Sequence, residues 1–290
     1  VHFLILCYQA LGETRVLDAI NRGMNIYILA QQGAPQAGWA LQYTPDLKPA
    51  AARTYEPKSL SSHTTSSAIT QLMDFYRLTG DTKFLAPIPA ALDWLDSVRL
   101  PGDKPAYPSF VELGTNKALF THREGSNVVN GHYYADYNSA NTLGHYSSTR
   151  SVNVAKLRKE YEALKALSPA EVAKDSPLKP GPARPLPRYF LIEDSADSDL
   201  NHARHAETAG GLVKTLNKDG WWPTQLIATS NPYAGDGSKE VTPGDYRSTK
   251  VGDKTDTSPY NAEKPVTGIS TSTYIDNMKV LMRVLNHEDK

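Results

Sequence analysis

Two stretches of this chain read as copies of one another, and that constrains the fold more than any other feature. FLILCYQALGETRVLDAINRGMNIYI and QLMDFYRLTGDTKFLAPIPAALDWL align at a shift of 68 residues. In that register Tyr8 falls on Tyr76, Gly12 on Gly80 and Glu13 on Asp81. Leu17 falls on Leu85, Ile20 on Ile88 and Met24 on Leu92. Each copy has the apolar period of a helix, a Gly stop, then a second helix. The Gly suits a left-handed helix end, and the acid after it suits the start of the next helix. Repeated αα-hairpins bury their faces by stacking side by side. The expectation is a mostly α chain, an (α/α) toroid or barrel of helical hairpins with long functional loops and few short strands. Two copies alone leave a face uncovered, so a missing N-terminal segment or a partner chain completing the toroid is also expected.

The connections are long. Gly38–Ser62 is rich in Pro and aromatics, and Pro101 to about Thr149 is irregular; loops of this length in compact domains commonly carry function. Val152–Leu167 reads as a charged amphipathic helix and Ser168–Arg188 as a Pro-rich extended arm. His202–Asn217 reads as a helix, Trp221–Thr271 as loop, and Thr273–Asn286 as a last helix with Thr271–Thr273 as cap candidates. The implied organisation is a helical core with catalytic loops over 1–167, the arm over 168–188, and 189–290 completing the same toroid.

Composition narrows the partners. Thirty-one basic and 31 acidic residues give zero formal net charge, which argues against a general nucleic-acid binder. No apolar run reaches the 18 residues of a membrane span. The opening VHFLILCYQALGETR lacks the basic start and small-residue cleavage site of a leader and matches the repeat, so it reads as a structural helix. A single Cys7 leaves no internal disulfide and no Cys-rich metal site. Sixteen Tyr residues suit stacking on sugars and suit core packing equally.

Two loop segments carry a pattern: Gly38-Trp39-Ala40-Leu41-Gln42-Tyr43 with Ala52-Arg53-Thr54-Tyr55-Glu56-Pro57 and Ser59-Leu60-Ser61, then Glu112-Leu113-Gly114-Thr115-Asn116-Lys117 with Phe120 and His122-Arg123-Glu124-Gly125. In order and spacing they resemble the family 10 pectate lyases over roughly residues 1–130. The family's forms look like G-W-x-x-Q-Y-D, A-R-x-Y-E-P-x-S-L-S and G-T-N-R-P-x-F-x-x-R-D-G. Thr44 stands where the family often has Asp, Lys117 where it has Arg, and its earlier G-G-W-P and F-N-D-D segments are absent.

The resemblance implies a lyase that cleaves polygalacturonate by β-elimination with Ca2+ as cofactor and an acidic polysaccharide as substrate, with neither nucleic acid nor membrane as partner. It implies a secreted or periplasmic bacterial setting. By motif match Arg53 is the base. Trp39, Tyr55, Asn116, Lys117 and Arg123 are substrate-binding candidates, and Asp46 and Glu56 are candidate metal ligands. Calcium takes oxygen ligands, and cations near the substrate carboxylate stabilise the charge that grows when C5 loses its proton. Each residue also has a plainer reading: Arg53 and Glu56 as a structural ion pair, Trp39 and Tyr55 as loop packing, Asn116 as a turn residue, Lys117 as a solvated charge.

Two other functions fit a toroid: an inverting glycoside hydrolase using Glu56 and Glu112, or a non-catalytic relative that binds acidic polysaccharide. His202-x-x-His205 lacks a clear acidic third ligand for zinc, and Asp194–Asp199 reads as a solvated turn rather than a calcium loop. No serine-hydrolase, P-loop or dinucleotide-binding motif occurs.

Overall fold

Gly12 and Gly80 end the first helix of each repeat in the same way. In the computed structural model, which describes residues 1–124, 132–143, 146–190, 203, 205–226 and 266–288, α1 (His2–Leu11) stops at Gly12 (φ 65°) and α3 (Ser62–Thr79) at Gly80 (φ 69°). The two glycine N–H groups donate to the carbonyls of Tyr8 and Tyr76, the aligned residues of the two copies. In the first copy α2 (Thr14–Ala30) follows as a continuous helix. The second copy departs from the expected single helix. A 3-10 turn at Thr82–Phe84 comes first, and α4 (Ile88–Ser97) starts only after Pro87. Proline has no N–H for the ladder and clashes with the preceding turn, so Pro87 splits the element while Pro89 is tolerated in the first turn of α4. The aligned pairs Ile20/Ile88 and Met24/Leu92 are all fully buried. The repeat is therefore a repeat of core positions.

The short strands gather beside these hairpins. β1 (Tyr107–Pro108) pairs antiparallel with β5 (Thr149–Arg150), Tyr107 opposite Arg150. β2 (Phe110–Val111), β3 (Ala118–Glu124) and β4 (His132–Asp136) form a sheet in that order, and Leu60 bridges Val111. These pairings bring the two motif-bearing loops together. α5 (Val154–Lys165) follows, capped by the Asn153 side chain.

The Pro-rich segment is tethered to the helical hairpins. It opens with α6 (Pro169–Val172), closed by a Ser168/Glu171 capping box. The Ser176 hydroxyl then donates to the Leu78 carbonyl and the Arg184 N–H to that of Gln9. These two bonds tie the segment to carbonyls near the ends of α3 and α1.

Contacts divide the chain into two units, Val1–Glu124 with Tyr133–Leu186, and Gly125–His132 with Pro187–Lys290. In the second, α7 (Ala209–Lys214) is shorter than the helix expected over His202–Asn217. Thr208 caps it, and Gly210 and Gly211 add little helix preference. The region read as loop contains β6 (Thr224–Leu226) paired with β7 (Val266–Gly268). In α8 (Thr271–Glu288) Ser270, rather than the threonines, accepts the Thr273 N–H. Asp194–Asp199 and His202 lie outside the described residues. Among the described residues, no helix is long and apolar enough to cross a membrane.

Candidate active site

Arg53 and Glu56 form the two ends of one tight turn. The Glu56 N–H donates to the Arg53 carbonyl, and the Glu56 carboxylate accepts from the Arg53 N–H at 3.1 Å and from its Nη2 at 2.5 Å. The pair is asymmetric: the Glu56 side chain is 2% exposed and the Arg53 side chain 59%. A buried carboxylate thus fixes a guanidinium that faces solvent. Its hydrogen bond holds Arg53 further above the already high guanidinium range, and Arg53 in turn holds Glu56 below the ordinary carboxylate range.

Around Arg53 stands a group of rings. Its guanidinium carbon lies 5.0 Å from the centroid of half-buried Tyr55 and 5.5 Å from that of Tyr146. Tyr55 packs at an angle against Tyr133 of β4 and against Tyr146, and Tyr146 stacks on Phe110 of β2. The Tyr146 hydroxyl donates to Glu56 at 3.3 Å, and burial, then the Glu56 charge, pushes it above the usual phenol range. A second guanidinium, Arg150, lies 5.3 Å from the Tyr146 centroid. Its Nε is buried with no hydrogen-bond partner.

His63 completes this group. Burial, then the Arg150 charge, lowers its basicity, so the ring is neutral near neutral pH. Ser61 Oγ, which accepts from the Thr64 N–H, lies 2.9 Å from His63 Nδ1.

The second motif loop is held from below by Gln36, which is 7% exposed. Its amide nitrogen donates to the Glu112 carbonyl and to Asn116 Oδ1, and its oxygen accepts from the Gly114 N–H. Trp94 Nε1 donates to the same Asn116 oxygen, and Asn116 takes φ 60°. Both lone pairs of Asn116 Oδ1 are thus used inside the protein, which leaves its amide N–H groups as the part that could meet a ligand. Lys117, next in the chain, is exposed, with Nζ 4.8 Å from the Tyr137 ring. Tyr137 donates to Glu112, and so does Thr115; these bonds lower the carboxyl pKa, Thr115 counting most. Arg53 reaches the sheet through Tyr133 and Lys117 reaches it through Tyr137. Those tyrosines are four residues apart, at most about 14 Å of extended chain, so both cations border the β4 strand.

Trp39 belongs to the core instead. It is 2% exposed, and its Nε1 donates to the Tyr27 carbonyl, so the core takes up the ring and no face is left for a sugar. The Arg123 side chain lies outside the described residues. On the other side of β4, buried His122 sits between Asp136, the Asn141 carbonyl and the Tyr134 ring.

The metal candidates do not combine. Asp46 is exposed and engaged by Thr44 and Lys48, which lower its pKa, Lys48 first. Glu56 is engaged by Arg53 and Tyr146. Among the described residues no group of three or more His, Cys, Asp or Glu gathers to hold a metal, so this donor set does not fit calcium. Glu56 and Glu112 are both held ionised, whereas inversion needs one carboxyl kept protonated.

The motif reading reached Arg53, Tyr55 and Lys117. It missed Arg150 and Gln36, which carry no sequence signal, and Tyr133, Tyr137 and Tyr146, whose one signal was a local density of tyrosine over 133–146. A family model described as pectic acid lyase matches residues 8–159, just over half of the chain. No curated protein matches it.

Proposed function

The chain belongs to the pectic acid lyase family and is a pectate-degrading lyase acting on pectic polysaccharide; from that premise we propose that it works by β-elimination at the Arg53 turn. The base removes the C5 proton of a galacturonate unit, the C4–O4 bond breaks, a C4–C5 double bond forms, and O4 leaves with a proton. Arg53 is the base, Tyr55 and Tyr146 border the sugar, and Lys117 binds a neighbouring carboxylate as a point charge. The observation that carries this is the asymmetry of the turn: the guanidinium is open to a ligand while its anchor is buried. Repeated hairpins of an α/α toroid are the proposed scaffold, and a polymeric substrate fits a secreted or periplasmic enzyme.

Calcium is implied by the family resemblance alone. The Glu56 contact favours a second reading for Arg53. Because it keeps the guanidinium protonated, Arg53 also suits the role of fixed cation, stabilising the charge that develops on the substrate carboxylate.

One assay separates these readings. The protein is given polygalacturonate with calcium, and ultraviolet absorbance of the unsaturated uronide is followed. Absorbance rises with wild type. Loss of a general base lowers kcat by about 10²–10⁴, and Arg53→Ala is expected in that range. An Arg53→Lys variant that keeps most of the rate identifies the fixed cation instead. New reducing ends without absorbance overturn the elimination and indicate hydrolysis.

A further inference from the structure

The loop that follows α6 meets the C-terminal end of α1 and encloses with it a cavity of about 530 Å³, within the size range of small-ligand pockets. Two ties hold the loop in place: the Arg184 N–H donates to the Gln9 carbonyl and the Ser176 hydroxyl to that of Leu78. Pro177, Pro180 and Pro182 stiffen the wall, so little ordering is left for a ligand to impose. Lys174, Lys179 and Arg184 line the cavity, and Asp175 is the one acid among its described lining residues. Lys179 Nζ donates to the Lys174 carbonyl at 2.9 Å, which places one ammonium on the rim. Three cations against one carboxylate leave an excess of two positive charges, in a chain whose formal net charge is zero.

This cavity is apart from the Arg53 group. His63 of that group lies in the first turn of α3, whereas Leu78, to which the loop is tied, lies in the last. The 18 residues of α3 set those ends about 27 Å apart. The lining also chooses among anions. A compact phosphate is held best by N–H groups at a helix N-terminus or in a backbone nest. Here the last turn of α1 presents carbonyls, and the Gly12 N–H is already given to Tyr8. A ligand with hydroxyl donors and separated single negative charges matches both the carbonyls and the cations. Tyr8 adds a ring with an apolar face and a polar edge.

We infer that the cavity binds a uronate oligosaccharide segment away from the cleavage site and thereby anchors long chains. A polymer held there reaches the Arg53 turn at a raised effective concentration, which favours long substrate over short. The anchoring role rests on the pectate-lyase reading of the Arg53 turn; the binding does not.

The test uses wild type and the double variant Lys174→Gln/Arg184→Gln in the full chain. In a nitrogen-proton spectrum of wild type, the backbone signals of Gly181, Ala183 and Arg184 shift as trigalacturonate is added and stay in place with neutral galactotriose. Loss of one exposed ion pair weakens binding about two- to fivefold, so the double variant needs roughly tenfold more trigalacturonate for the same shift at Gly181. Its KM for polygalacturonate rises by a similar factor, while kcat and the turnover of trigalacturonate are unchanged. Wild-type signals that do not move with trigalacturonate, or that move equally with inorganic phosphate, overturn the inference. A folded double variant with wild-type KM for polygalacturonate overturns the anchoring role. If wild type gives no unsaturated product yet Gly181 and Arg184 still respond to trigalacturonate, the elimination reading fails and this binding site stands.

Discussion

Glu56 decides what Arg53 can do, and it is the residue whose replacement separates stability from chemistry. Its folded pKa is depressed, first by the Arg53 hydrogen bond. The stability it contributes is therefore complete above the ordinary glutamate value of about 4.3 and is lost as pH falls through the lower folded value. Glu56→Gln removes that acid-sensitive contribution. Arg53 is more than half exposed, so the cost at pH 7 is small for a buried carboxylate, about 1–2 kcal/mol. Urea titrations at pH 7 and pH 3.5 should show the variant less stable at the first and closer to wild type at the second. The same change releases Arg53 from the contact that raises its pKa. If the guanidinium is the base, the rising limb of kcat/KM against pH moves to lower pH in Glu56→Gln. A limb that stays in place while activity persists assigns Arg53 to charge stabilisation.

At the scale of elements, Gly12 and Gly80 share a left-handed φ, yet their surroundings differ. A Cβ at Gly12 meets nothing within 4 Å, whereas at Gly80 it comes within 2.6 Å of the Pro169 carbonyl oxygen. Gly12→Ala should cost about 1–2 kcal/mol, the penalty of the left-handed conformation. Gly80→Ala should cost more, because α6 must also move; thermal unfolding of the two variants checks the order, and equal losses would mean that α6 does not press on Gly80. This pair also marks what the sequence can reveal. The glycine stops and the matched Ile20/Ile88 and Met24/Leu92 core positions were readable, because each depends on local period and local backbone. The docking of Ser168–Arg188 was not, since it is set by carbonyls of Gln9 and Leu78, 90 or more residues away in the chain. Trp39 shows the same limit within a motif. An aromatic in a loop gives no sign of whether it faces a ligand or the core until Tyr27 is seen to accept its Nε1 proton. Arg150 was invisible for the opposite reason, having no motif around it and owing its position to the pairing of β5 with β1.

For the whole molecule, zero formal net charge has a consequence for a polyanionic substrate. No overall field draws the polymer in, so attraction must arise within the site, and charges further apart than about 8 Å are screened at physiological ionic strength. Within the site Arg53 is neutralised by Glu56, and Lys117 acts on the carboxylate of Glu112. Among the described residues of the site, Arg150 is the cation with no acidic partner. Affinity for a short oligogalacturonate should therefore fall only modestly with salt, by a few-fold between 50 and 500 mM sodium chloride, with kcat unchanged. A basic protein that engages its polymer through many contacts loses orders of magnitude over a similar range. The slope should flatten in Arg150→Gln and remain in Gly12→Ala, which alters backbone but no charge. If wild type and Arg150→Gln lose affinity in parallel as salt rises, the attraction does not come from this guanidinium, and charges elsewhere on the chain must supply it.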